Sequence, residues 1–210
     1  MIKILIADDH AIVREGLKQI ISGTPDMAVV AEASNGEDVL EKVSANKYDV
    51  ILLDISMPGR SGLDILRQLK IEKPKLPIMM LSVHPEEQYA VRALRAGASG
   101  YLTKESAPDE LIAAIRKISQ GRKYVSSSLA EKLAVELGID VKKPRHEVLS
   151  DREFQVMCMF ASGKTVKEIA TELSISMPTI RTYRIRILEK MRMKNIAEII
   201  HYAVKQGLVD

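Results

Sequence analysis

The stretch "YDVILLDISMPGRSG", Tyr48 to Gly62, decides the fold. Four aliphatic residues, Val50 to Leu53, run straight into the carboxylate of Asp54 and then into a Pro58-Gly59 turn. A run this short and this apolar reads as a strand buried on both faces, as strands of a parallel sheet are. Taken alone, it leaves two readings of Asp54 open. One is a turn-former where the strand ends; the other is a functional carboxylate.

Working outward, the same rhythm recurs. Strands are expected at Ile2–Ala7, Ala28–Ala33, Val50–Leu53, Ile78–Leu81 and Gly100–Leu102. Amphipathic helical patterns follow them near Ala11–Ser22, Gly36–Ala45, Gly62–Ile71, Glu86–Ala96 and Pro108–Ser119. Five strands, each followed by a helix, predict an α/β unit: a doubly wound parallel sheet covered on both faces. The segment from Ser126 to Val148 breaks the rhythm. Ser128 and Glu131 form a capping-box pattern ahead of Leu129, Leu133 and Leu137, and Gly138 can end that helix. A polar, proline-containing stretch, "IDVKKPRHE", then reads as a linker. Beyond it no strand pattern returns. Helix starts are expected at Ser150, Thr165, Ser176 and Asn195, three of them with Glu three residues on, and Gly207 is a stop signal. The expected domains are 1–122 (α/β), 123–147 (linker with a helix) and 148–210 (all-helical).

Composition bounds the function. The chain of 210 residues is 46% hydrophobic and 28% charged, with one cysteine, Cys158. A single cysteine forms no internal disulfide, and no Cys/His cluster has zinc spacing, so a reducing cytoplasm is expected. The N-terminal "MIKILIADDH" turns acidic too soon for a signal peptide, and no apolar run is long enough for a membrane span. Residues 1–125 carry 17 basic and 17 acidic side chains, whereas the remaining 85 carry 14 and 11 and supply the whole net charge of +3. From Arg181 to Lys194 there are six basic residues and one acid, Glu189. Such a run is either a solvated helix face or a nucleic-acid contact. Cys158, Met157 and Met159 read as core residues.

In open parallel sheets, ligands bind beyond the carboxyl ends of the strands. The first strand exits at Asp8-Asp9, the third at Asp54, the fourth at Ser82 and the fifth at Lys104. Three carboxylates, a hydroxyl and an ammonium therefore converge on one edge. Clustered carboxylates repel unless a cation sits among them, and all-oxygen ligands favour Mg2+. His10 and His84 flank this edge and read as loop and cap residues.

The residues "ADDH", "LLDISMPGRSG", "MLSVH" and "GYLTKE" carry a resemblance. Over about residues 1–120 the chain resembles the receiver domain of two-component response regulators, which implies a flavodoxin-like fold. By that resemblance Asp54 accepts a phosphoryl group from a histidine kinase. Asp8 and Asp9 hold Mg2+ with Asp54 and the backbone carbonyl of Ser56. Ser82 and Lys104 hold the phosphoryl oxygens. Tyr101 matches the aromatic that turns inward on activation, into space vacated as the Ser82 hydroxyl moves toward the phosphate.

The stretch "LSDREFQVMCMFASGKTVKEIATELSISMPTIRTYRIRILEKM" resembles the LuxR-type helix-turn-helix of the NarL/FixJ response regulators, over about residues 148–208. Thr165–Leu173 is then the first helix of the pair, and Met177–Met191 the recognition helix with Ile180, Ile187, Leu188 and Met191 toward the core. Thr179, Arg181, Thr182, Arg184, Arg186 and Lys194 are candidates for phosphates and base edges of double-stranded promoter DNA. Ile185 either meets a thymine methyl or packs. Tyr183 and Arg184-Ile185 depart from the family pattern.

The resemblances imply a DNA-binding regulator rather than an enzyme, pairing as a homodimer when phosphorylated, with RNA polymerase as a candidate further contact and no membrane partner. Two rivals remain. A haloacid-dehalogenase-type phosphatase needs a second Asp two residues after the nucleophile, and here position 56 is serine. A phosphorylation-independent receiver-like regulator, acting through protein or RNA contacts, is argued against by the intact set of Asp8, Asp9, Asp54, Ser82 and Lys104.

Overall fold

The structure, a computed structural model, describes residues 1–126, 129–130 and 144–209. The chain divides into two compact units, Met1–Leu133 and Ala134–Asp210. In the first unit five strands form one parallel sheet in the order β2-β1-β3-β4-β5. They are β1 (Ile2–Ala7), β2 (Met27–Ala33), β3 (Val50–Asp54), β4 (Ile78–Ser82) and β5 (Gly100–Thr103). The helices between and after them are α1 (Ala11–Ser22), α2 (Gly36–Ala45), α3 (Gly62–Glu72), α4 (Glu86–Arg95) and α5 (Pro108–Ser119).

The aliphatic runs explain the sheet. Every residue of β3 and of β4 is buried, which only a central strand with helices on both faces achieves. On one face Ile4, Ile6, Val50, Leu52 and Leu81 pack with Ile115 and Ile118 of α5 and Ile21 of α1. The alternating residues Leu5, Ile51, Leu53 and Met80 are equally buried on the other face.

Three strands run one residue further than the aliphatic pattern implies. Asp54 pairs with Leu81, and Ser82 pairs with Thr103. The ladder even continues past them, since Ile55 N–H donates to Leu81 O at 3.0 Å and Lys104 N–H to Ser82 O at 2.7 Å. The polar residues at the strand exits are thus held by sheet hydrogen bonds instead of hanging in loops. Smaller differences are β2 beginning at Met27, α3 ending at Glu72 and α4 ending at Arg95.

The second unit is helical: a short 3-10 turn (Arg145–Val148), then α6 (Asp151–Ala161), α7 (Val166–Glu172), α8 (Met177–Met191) and α9 (Ile196–Lys205). Ser150, Thr165, Ser176 and Asn195 all cap their helices, the first two in full capping boxes with Glu153 and Glu168. Cys158, Met157 and Met159 are buried, as expected. The polar start of α6 is a surprise, because Asp151, Arg152, Glu153 and Gln155 are buried too. Arg152 is satisfied there by Gln155 Oε1 at 2.6 Å and Leu173 O at 3.2 Å. Of the expected linker helix Leu129 and Ala130 are described and helical, while its Ser128/Glu131 cap lies outside the described residues. Among the described residues no helix is long and apolar enough to cross a membrane.

Candidate functional site

The first site is built from strand ends. Asp8 follows β1, Asp54 closes β3, Ser82 closes β4 and Lys104 follows β5. All of them are buried or nearly so: Asp8 is 0%, Asp54 1% and Ser82 0% exposed, and the Lys104 side chain is 11% exposed. Ligand atoms of Asp8, Asp9, His10 and Asp54 lie within 4.8 Å of one another. His10, the N-cap residue of α1 in keeping with its reading as a loop or cap residue, also stands in this cluster. Its Nδ1 stands 2.8 Å from Asp9 Oδ1 and 3.2 Å from Asp8 Oδ1.

The cluster is under electrostatic tension. Lys104 Nζ lies 2.6 Å from Asp8 Oδ2 and 3.0 Å from Asp54 Oδ2. These are charge contacts off the bonding line: Asp8 Oδ2, Asp9 Oδ1 and both Asp54 oxygens accept no well-formed hydrogen bond. Burial pushes the Asp54 carboxyl up to about 6, with the Lys104 charge opposing that rise and the Asp8 charge adding to it. Burial alone would lower the Lys104 ammonium, but Asp54 and Asp8 outweigh it and hold the group above its ordinary value. Buried carboxylates this poorly bonded are rare, because one ammonium does not replace the water that three carboxylates give up. A divalent cation among them would restore the balance, and hard oxygen donors suit one.

Local sequence enforces the geometry. A Cβ on Gly62 would stand 1.9 Å from Asp54 O, so only glycine lets the start of α3 close against the β3 end. Ser61 caps that helix, accepting from Leu63 N–H. The backbone amide of Ser56 helps to hold Asp54 ionised. Ser82 Oγ accepts from His84 N–H at 2.9 Å. Tyr101 is fully buried, and its hydroxyl donates to His84 O at 2.8 Å.

The second site is the exposed side of α8. Ile180, Ile187 and Met191 are buried, while Leu188 is only half-buried and Tyr183 joins it at the flank of the stripe. Arg181, Arg184, Ile185, Arg186 and Lys194 are exposed. Ile185, at 57% exposure, does not pack within the unit. Thr179 and Thr182 are exposed, but their hydroxyls are engaged locally, with Ser176 Oγ at 2.8 Å and Pro178 O at 3.1 Å. Lys190 is diverted from the basic face, since its Nζ lies 2.6 Å from Glu153 Oε2.

Two family models match the chain: response regulator receiver domain over residues 4–116, and bacterial regulatory proteins of the luxR family over residues 147–203. The chain is 37% identical over 211 residues to response regulator UvrY of Escherichia coli, covering all of this chain and 97% of that protein. It is 36% identical over 214 residues to response regulator GacA of Pseudomonas aeruginosa, covering 100% and 99%. RcsB from Salmonella enterica serovar Typhimurium, solved bound to promoter rprA in the presence of phosphomimetic BeF3-, aligns at 27% identity with a TM-score of 0.66 over 96% of this chain and 97% of that one.

Proposed function

The chain belongs to the response regulators that join a receiver domain to a luxR-family regulatory domain, and we propose from this premise that Asp54 accepts a phosphoryl group from a sensor histidine kinase and thereby controls DNA binding. The observation that carries the reading is the set of buried carboxylates at the strand ends, gathered about Lys104 and without well-formed hydrogen bonds.

Asp54 has a carboxyl titrating at about 6, so near neutral pH it is mostly the ionised nucleophile. Its oxygen bonds to phosphorus as the bond from phosphorus to the donor's imidazole nitrogen breaks, and the imidazole departs with that electron pair. Asp8, Asp9, Asp54 and the backbone carbonyl of Ser56 would hold Mg2+. When bound, the ion supplies the charge that lets an anionic phosphoryl approach three carboxylates. Lys104 exchanges part of its contact with Asp8 and Asp54 for the phosphoryl oxygens, as a point charge does readily. Ser82 donates its proton to one of them, and Tyr101 reads the state of the neighbouring loop.

In the second unit the exposed face of α8 enters the major groove of promoter DNA. Arg181, near the helix start, reads a base edge, with Thr182, Arg184 and Ile185 beside it. Arg186, Thr179 and Lys194 contact the backbone. The relative bound to promoter DNA supports this placement. Phosphorylation favours a homodimer, which matches two half-sites on the operator. We infer domain limits of 1–122, 123–147 and 148–210, supported by the interval between the two family matches.

Acetyl phosphate with Mg2+ should label the wild type at one site, and Asp54→Asn should abolish the label while leaving the fold intact. Persistent labelling of the Asn variant would overturn the assignment.

A further inference from the structure

Past α5 the chain does not simply leave the receiver. Tyr124 forms a parallel bridge with Gly100 at the free edge of β5, and its N–H donates to Ser99 O at 2.8 Å. Gly100 makes this approach possible, because a Cβ there would stand 2.9 Å from Tyr124 O. The Tyr124 hydroxyl donates to Glu110 of α5 at 2.7 Å, and Lys123 Nζ donates to Ala98 O. Next, the Ser126 hydroxyl donates to the carboxylate of Glu86, the first residue of α4. Ser126 Oγ also accepts from Leu129 N–H at 3.1 Å, and the Leu129 side chain is 1% exposed.

Glu86 sits at the end of the loop that leaves Ser82. That loop is tied to the site by two bonds already described, His84 N–H to Ser82 Oγ and Tyr101 OH to His84 O. We propose that residues 123–126, with Leu129 and Ala130, are the receiver's read-out element, clamped to the β5 edge and to Glu86, and that phosphorylation tightens this clamp through the Ser82–His84 loop. The inference rests on the reading of Asp54 as phosphoacceptor.

The sign follows from proton counting. Ser82 Oγ uses a lone pair to accept from His84 N–H, which leaves its one proton free to donate to a phosphoryl oxygen. Capture of the phosphoryl therefore adds a bond without breaking the one to His84, and hydrogen bonds in a chain reinforce one another. A steadier loop holds Glu86 in place for Ser126. The negative Glu86 carboxylate is also favoured at the start of α4. A clamped linker fixes where the chain leaves the receiver, and such preorganisation raises affinity by lowering the entropy lost on binding.

The test is amide hydrogen exchange of the full chain, with and without beryllofluoride and Mg2+, alongside DNA titration and acetyl-phosphate labelling of the same preparations. Beryllofluoride is expected to slow exchange at Tyr124, Leu129 and Ala130 by roughly tenfold, the size of one hydrogen bond's net contribution. Glu86→Ala is expected to label normally at Asp54, yet to lose both that slowing and the phosphorylation-dependent gain in DNA affinity. Gly100→Ala, which displaces Tyr124 from the other side, should do the same. Labelling with unchanged or faster exchange, or a Glu86→Ala protein that still responds in full, overturns the clamp alone. Absence of labelling in the wild type overturns the phosphoacceptor reading with it.

Discussion

At the scale of the residue, Asp54 is held in a state that costs stability. Its carboxyl is raised from 3.8 to about 6, chiefly by burial, so the folded protein binds that proton more tightly than the unfolded chain does. By linkage, ionising it is unfavourable: the penalty is absent below pH 3.8, grows between there and pH 6, and is complete above. Asp54→Asn removes the charge and should stabilise the metal-free protein at pH 8 by on the order of 2 kcal/mol. Denaturation in EDTA at pH 8 and at pH 4.5 checks this, with the gain shrinking at the lower pH. A gain that grew on acidification would contradict the sign. Sequence placed Asp8, Asp9, Asp54, Ser82 and Lys104 at one sheet edge, because strand ends are legible from aliphatic runs. It put His10 at the flank of that edge but did not show its ring within reach of Asp8 and Asp9, since that distance exists only when the loop is folded.

At the scale of the element, the helices of the second unit rest on their caps, and Glu153 serves two of them. It closes the capping box of α6 and meets Lys190 of α8 at 2.6 Å. Burial would raise the Glu153 carboxyl, but the bond from Lys190 and those from Ser150 outweigh it and hold the group below its ordinary value. A depressed carboxylate contributes stability that is present above its unfolded pKa, 4.5, and is lost as pH falls through the lower folded value. Glu153→Ala should therefore cost about 1–2 kcal/mol at neutral pH. That deficit should narrow below pH 4.5, as read from the exchange of α6 and α8 amides. On the proposed function the exposed side of α8 divides by role. Arg181→Ala should cost about 1–3 kcal/mol on the specific site and relax preference at one base position. Lys194→Ala should weaken all sequences alike and reduce the salt slope by about one. Titrations on specific and scrambled DNA at several salt concentrations separate the two, and equal losses on both DNAs would demote Arg181 to a phosphate contact. The four helix starts were legible because Ser, Thr and Asn caps act locally. The burial of Asp151, Arg152 and Gln155 was not, because it depends on partners far along the chain, such as Leu173 O.

At the scale of the whole molecule, the proposed function requires that one chemical event at Asp54 change assembly and DNA affinity together. Light scattering of the full chain should show monomer passing to dimer at lower concentration with beryllofluoride and Mg2+ than without, and Asp54→Asn should stay on the unphosphorylated curve. An identical response in the Asn variant would detach dimerisation from this site. The sequence by itself determined the alternation of five strands and five helices, their parallel arrangement, the helical second unit and the face of α8 that carries the cations. Each follows from short-range rules: aliphatic runs, a period of 3.6, caps and glycine stops act over a few residues. Tertiary structure alone decided that Asp54 and Ser82 are strand residues held by ladder bonds, that Lys104 compensates two buried carboxylates, that Lys190 is taken by Glu153, and that Tyr124 and Ser126 fasten the linker to β5 and α4. Those facts join residues up to 96 positions apart, as Asp8 and Lys104 are. Charge and hydrogen-bond balance at such range depends on which groups the fold brings within 3 Å and how far it removes them from water, and neither distance nor desolvation is written in local sequence.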